Sequence, residues 1–228
     1  MSAQPPDVRI LGDPAGALAE LLADQARRGG SIVLTGGSDV ADPYERAAAL
    51  EPDWSKVVLW WGDERCVPPD DERSNYGLAK RSLLDRLARQ PDEIHRIRGE
   101  LQPADAAGEL NKQLEGAELD FLLLGLGPDG HCASLFPGSP QLDVEDALAT
   151  SGPAGLEPFV DRVTLTLPAL RSAQRIVFVA TGERKAKAVA GAFGGEVSRD
   201  VPASLVRLAP VRVEVLVDAA AASLLDKS

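Results

Sequence analysis

The sequence predicts an α/β fold built on an open, mostly parallel sheet with helices on both faces. Three observations point there. Short apolar runs recur along the chain, several of them unbroken by a polar residue, as strands covered on both faces require. Helical patterns separate these runs, and strand–helix alternation makes successive strands parallel. Four of the runs end in loops of glycine, small polar and charged residues, and such loops bind ligands at the carboxyl edge of a parallel sheet.

The strand candidates are Ser31–Leu34, Val57–Trp61, Leu119–Leu124, Arg162–Leu167, Arg175–Ala180 and Val211–Val217. A first helix opens at Asp13-Pro14, an N-cap followed by a first-turn proline. Leu18, Leu21, Leu22 and Ala26 follow at helical spacing, and Gly29-Gly30 ends the helix. Ser74 caps a second helix carrying Leu78, Leu83, Leu84 and Leu87. Ala104–Leu114 is a third, and Glu183–Phe193, stopped by Gly194-Gly195, a fourth. Ser139–Phe159, with prolines, glycines and acids but little periodicity, is a long excursion rather than a domain boundary. With no repeat and no low-complexity linker, residues 1–228 are expected to form one domain.

At 44% apolar residues the chain has material for a sizeable core. The net charge of −11 argues against general nucleic-acid binding and against docking on an acidic membrane. A small anionic substrate stays compatible, because a few local cations override a distant, salt-screened field. The two cysteines, Cys66 and Cys132, have no metal-ligand spacing and form no disulfide framework. The segment MSAQPPDVRI lacks a basic n-region and an apolar h-region, and no apolar run approaches a membrane span. A cytoplasmic protein is the expectation, with no protein partner inferable.

The chemistry concentrates in the four loops. After the run at Leu119–Leu124 comes GLGPDGH, whose glycines allow close approach to a ligand and which sets Asp129 two positions before His131. A carboxylate beside an imidazole fixes its tautomer and raises its basicity, as a general base needs. After Ser31–Leu34 comes Thr35-Gly36-Gly37-Ser38, a set of unobstructed backbone N–H groups suited to an anion, with Ser38 able to cap the next helix. After Val57–Trp61 comes Gly62-Asp63-Glu64-Arg65, where Arg65 offers a planar fork for phosphate or carboxylate and the bland alternative is a solvated charge cluster. Asn75 and Tyr76 follow, either as polar contacts or as the start of a helix. After Arg175–Ala180 comes Thr181-Gly182-Glu183-Arg184-Lys185, opening a helix where Lys185 adds a point charge. His95, the other histidine, reads as a surface residue. No metal constellation, P-loop or dinucleotide fingerprint is present, so neither metal nor cofactor is expected.

The combination TGGS, GDERCVPPDDERSNYGLAKRSLL, LLLGLGPDGHCASLFPGS and RVTLTLPALRSAQRIVFVATGERKA resembles the 6-phosphogluconolactonase family, from about Ser31 to Phe193, with PASLV also fitting. The resemblance implies a Rossmann-like sheet of the sugar-phosphate isomerase and CoA-transferase kind. It implies a carboxylic ester hydrolase that converts 6-phospho-D-glucono-1,5-lactone to 6-phosphogluconate in the oxidative pentose phosphate pathway. It implies His131 as general base with Asp129 as partner, and Arg65 and Lys185 holding phosphate with help from Gly36, Gly37 and Ser38. Asp63 near the sugar, and Arg162 for phosphate or structure, rest on the resemblance alone. Two positions depart from its pattern: Asp39-Val40 where many members have Thr-Pro, and Cys132 where many have Thr. The alternatives are a glucosamine-6-phosphate deaminase, disfavoured because Cys132-Ala133-Ser134-Leu135-Phe136 holds no acid, and a non-catalytic sugar-phosphate sensor, disfavoured because no basic DNA-binding segment is present.

Overall fold

The computed structural model describes residues 3–225; the outermost residues of the N-terminal segment and of the span read as one domain lie outside them. In chain order the elements are β1 (Asp7–Ile10), α1 (Pro14–Arg28), β2 (Gly30–Leu34), α2 (Ala41–Leu50), β3 (Val57–Trp61), β4 (Asp63–Arg65), α3 (Asn75–Ser82), β5 (Glu93–His95) and α4 (Pro103–Leu114). There follow β6 (Phe121–Gly125), β7 (Ala149–Gly152), β8 (Arg162–Leu165), α5 (Leu167–Ser172), β9 (Ile176–Ala180), α6 (Ala186–Val189), α7 (Pro202–Leu205) and β10 (Val213–Val217).

Seven strands form one sheet in the order β1-β10-β9-β6-β2-β3-β5. Every neighbouring pair in it is parallel. Phe121 to Leu124 and Ile176 to Ala180 are all buried, so the middle of the sheet is covered on both faces, as the unbroken apolar runs require. The order changes direction between β2 and β6: β3 and β5 extend one way from β2, while β6, β9 and β10 extend the other. The loops leaving β2 and β6 therefore part at this point, where open α/β sheets leave a crevice for ligands.

Several elements follow from local signals. Asp13 caps α1 by accepting a hydrogen bond from the Gly16 N–H at 2.9 Å, Pro14 occupies the first turn, and Gly29 ends the helix at φ +81°. Leu18, Leu22 and Ala26 bury one face of it. Ser74 caps α3 through the Gly77 N–H. The helix over Leu83–Leu87 stops early and continues only as a 3₁₀ turn at Leu84–Arg86.

Other elements depart from the sequence reading. Arg162–Leu167 does not join the main sheet; β8 instead sits at the centre of a three-stranded antiparallel sheet between β4 and β7. Asp63–Arg65, read as a loop, is β4, and the excursion Ser139–Phe159 contains β7. The helix expected over Glu183–Phe193 runs without interruption from Glu183 to Gly194 but changes type on the way, from a 3₁₀ turn through α6 to a π-turn at Ala190–Gly194. Ser38 does not cap α2; its N-cap is Val40, with no side-chain hydrogen bond. The edge strands β1 and β5 escape the sequence because they are short and half-exposed and so carry no apolar run. His95 lies on β5, stacked on Trp60 at 4.0 Å with its Nε2 2.7 Å from Glu93, so it is half-buried rather than a free surface group. No described helix is long and apolar enough to cross a membrane.

Candidate active site

The loops after β2, β3, β6 and β9 meet around one cavity of about 600 Å³. Its wall includes Gly36, Gly37, Ser38, Asp63, Arg65, His131, Arg162 and Lys185, so the topology gathers sequence-distant candidates in one place. Asp129 stands behind His131 rather than on the wall.

The loop after β6 is closed on itself. The Gly127 N–H donates to the His131 carbonyl at 2.9 Å, and the Gly130 N–H to the Gly127 carbonyl at 3.0 Å. Gly130 has φ +87°, and a side chain at Gly127 would collide with the His131 ring and the Asp129 carboxylate. This turn brings Asp129 Oδ1 to 2.6 Å from His131 Nδ1, while the His131 N–H donates to the same oxygen at 3.2 Å. A carboxylate accepts, so Nδ1 carries a proton, and in the neutral ring the lone pair is the one on Nε2. Burial raises the Asp129 carboxyl, but the hydrogen bond and charge of His131 outweigh it and hold the group below its ordinary value. The Phe136 ring packs 4.5 Å from the imidazole.

The charge-rich stretch after β3 is not a solvated cluster. Glu64 is 2% exposed and accepts four hydrogen bonds, from the N–H groups of Arg65, Asn75 and Tyr76 and from the Ser74 hydroxyl. It thereby occupies the N-terminus of α3. Asp63 accepts from Asn75 Nδ2 at 3.0 Å and from the Ser134 hydroxyl at 2.6 Å, tying this stretch to the loop that carries His131. Asn75 also limits the first loop, since a side chain at Gly36 would strike its amide. Tyr44 of α2 pins the start of that loop: its buried hydroxyl donates to the Thr35 carbonyl at 2.7 Å and accepts from the Thr35 N–H at 3.1 Å.

Arg65 and Arg162 are directly paired across β4 and β8, so both point to the same face. Arg65 Nη1 donates to the Arg73 carbonyl at 2.5 Å, and Arg162 Nη2 to the Pro158 carbonyl at 2.9 Å. Arg65 Nε and Arg162 Nη1 are buried without a partner among the described residues. Burial first, and then the like charge of Arg65, push the Arg162 guanidinium below its ordinary value, against the attraction of Asp63, Cys66 and Glu64.

Lys185 is placed differently. Its ammonium pairs with the Asp39 carboxylate, whose other oxygen accepts from the Thr181 hydroxyl at 2.7 Å. Asp218, beyond β10, holds the Gly182 N–H at 3.1 Å and fixes this loop. Sequence reasoning placed Thr181 and Arg184 in a site loop without giving them a role, and missed Phe136, Leu156 and Glu157 on the cavity wall, where nothing in the local pattern distinguishes them. Ser134 had a usable signal, a lone hydroxyl in an otherwise apolar stretch.

Burial pushes the Cys132 thiol up to about 12 and the Cys66 thiol up to about 11, so both are thiols at neutral pH. No cluster of three or more His, Cys, Asp or Glu side chains among the described residues is arranged to hold a metal ion.

Residues 13–216 match the family model described as glucosamine-6-phosphate isomerases/6-phosphogluconolactonase. A 6-phosphogluconolactonase of Streptomyces coelicolor is 35% identical, across 97% of this chain and 93% of its own. A human 6-phosphogluconolactonase is 36% identical, across 92% and 88%. The solved structure of 6-phosphogluconolactonase from Trypanosoma brucei superposes with a TM-score of 0.82 at 27% identity, covering 99% of this chain and all of the other. A monomeric glucosamine-6-phosphate deaminase shares the fold, with a TM-score of 0.84 at 19% identity.

Proposed function

Because the chain belongs to the family of glucosamine-6-phosphate isomerases and 6-phosphogluconolactonases, we propose that it hydrolyses 6-phospho-D-glucono-1,5-lactone to 6-phospho-D-gluconate, the second step of the oxidative pentose phosphate pathway. The observation that carries the reading is the Asp129–His131 hydrogen bond on the same cavity as the Arg65–Arg162 pair. A base with a free Nε2 and a strong anion anchor are what a phosphorylated lactone demands.

A lactone is an activated ester, so one positioned base and stabilisation of the developing oxyanion suffice. His131 Nε2 takes a proton from water as the water oxygen attacks C1. Negative charge moves onto the carbonyl oxygen, where backbone N–H groups of the glycine-rich loops supply donors. The C1–ring oxygen bond then breaks, and the imidazolium returns its proton to the departing oxygen. Asp129 stabilises the imidazolium while it exists. The carboxylic acid product ionises, releasing one proton per turnover.

Arg65 and Arg162 bind the phosphate, with Lys185 and the Gly36-Gly37-Ser38 backbone beside them. Anchoring the far end of the sugar fixes C1 against the base and removes orientational entropy from the barrier. Asp63 acts by holding Asn75 and Ser134, and so the two loops they belong to. A proton-release assay with freshly generated lactone tests the reading: turnover by wild type that collapses in His131→Ala supports it. Ammonia release from glucosamine 6-phosphate, or tight lactone binding without hydrolysis, overturns it.

A further inference from the structure

Two kinds of cation line the cavity. Among the described residues, the guanidinium groups of Arg65 and Arg162 donate only to backbone carbonyls and have no carboxylate hydrogen-bonded to them. Lys185 is already matched to Asp39, and the pair is largely enclosed, with the side chains 16% and 9% exposed. Asp39 comes from the loop after β2 and Lys185 from the loop after β9, strands that are not neighbours, since β6 lies between them. The ion pair therefore joins the two loops on either side of the strand that leads to His131. The Thr181 hydroxyl fixes the second oxygen of Asp39, so the carboxylate is held in place rather than free to swing away.

We propose that Asp39 is a tethered competitor for the substrate's phosphate: it holds Lys185 in the empty cavity, must share or yield it when a phosphate dianion enters, and takes it back when product leaves. Asp39 is thus the residue that sets how tightly this site holds phosphorylated ligands. The inference rests on the phosphate reading of the cavity given above. Its physical basis is simple. A phosphate near Lys185 meets a fixed like charge, and in a partly enclosed site that repulsion is poorly screened. Arg65, Arg162 and Arg184 on the same wall also attract an anion, and Lys185 adds to that only to the extent that Asp39 releases it.

The test compares wild type with Asp39→Asn, which keeps an oxygen for the Thr181 hydroxyl but loses the charge. Asp39→Ser serves the same purpose if the amide disturbs the loop. Two quantities are read: the Kd for inorganic phosphate by calorimetry, and the kcat/KM ratio of 6-phosphogluconolactone over unphosphorylated gluconolactone. The expected result is a phosphate Kd lower by roughly three- to tenfold and a ratio higher by a similar factor, as for removal of one like charge beside a bound anion. A wild type that prefers the phosphorylated lactone, with neutral variants that bind phosphate equally or more weakly, overturns the inference and makes Asp39 a positioning residue for Lys185. A wild type with neither phosphate binding nor preference for the phosphorylated lactone sinks the phosphate reading itself.

Discussion

Arg65 and Arg162 face each other across the β4–β8 pair, each with one buried guanidinium nitrogen that has no partner among the described residues. Two like charges are seldom left side by side in this way unless an anion completes them, because unpaired buried donors cost free energy and the guanidiniums repel. The arrangement stores a demand for a ligand with several acceptor oxygens, which a phosphate meets through forked hydrogen bonds.

Arg65→Ala is therefore expected to raise KM for the phosphorylated lactone by roughly ten- to hundredfold, the range for losing hydrogen bonds to a charged group. Turnover of the unphosphorylated lactone should fall far less. Steady-state kinetics on the two substrates separate these effects, and an equal loss on both would remove Arg65 from the phosphate site.

His131→Ala is expected to lower kcat by about 10²–10⁴-fold, the usual worth of a general base. Asp129→Asn should lower kcat by on the order of 10²-fold or more with little change in KM, since the imidazolium loses its counter-charge. The Asp129 carboxyl is held below its ordinary value of 3.8, so it contributes stability above that pH. That contribution is lost as pH falls through the lowered value. Urea unfolding of wild type and Asp129→Asn should thus show a stability difference that shrinks below about pH 4; a difference that grew with acidity would contradict the assignment.

Gly127→Ala should depress kcat without a matching rise in KM. Its new methyl group would meet the His131 ring and Asp129 Oδ1 and push the base off its line of attack. A displacement of about 1 Å at a reacting group can cost about 10²-fold. Inorganic phosphate should still bind, which isothermal calorimetry would register.

Ser134→Ala removes the hydroxyl that donates to Asp63 Oδ2 at 2.6 Å inside the protein. A buried carboxylate oxygen then lacks a partner, at a cost of about 1.5–3 kcal/mol. Chemical denaturation should report that loss. Unchanged stability would mean that Asn75 alone satisfies Asp63.

Glu64 shows how a residue type can mislead when read alone. In sequence, Asp-Glu-Arg after a strand looks like a charged turn. In the fold, Glu64 closes the N-terminus of α3 with three of its four hydrogen bonds, and the same three residues become a strand in which Asp63 and Glu64 are buried. The three donors from Ser74, Asn75 and Tyr76 lie ten to twelve positions downstream of Glu64, beyond the reach of any local pattern.

The parallel sheet was legible because strands covered on both faces must be continuously apolar, and Phe121–Leu124 and Ile176–Ala180 could hardly be anything else. The Asp129–His131 pair was legible because both partners lie in one short loop, where glycines set the geometry. Partnerships across loops were not. That Lys185 meets Asp39, that Arg65 stands opposite Arg162, and that Ser134 reaches Asp63 were decided by strand order and register alone. Local composition determines which segments become strands and turns; which charges end up within a few ångströms of one another depends on contacts between residues far apart in the chain, and these exist only once the sheet has closed.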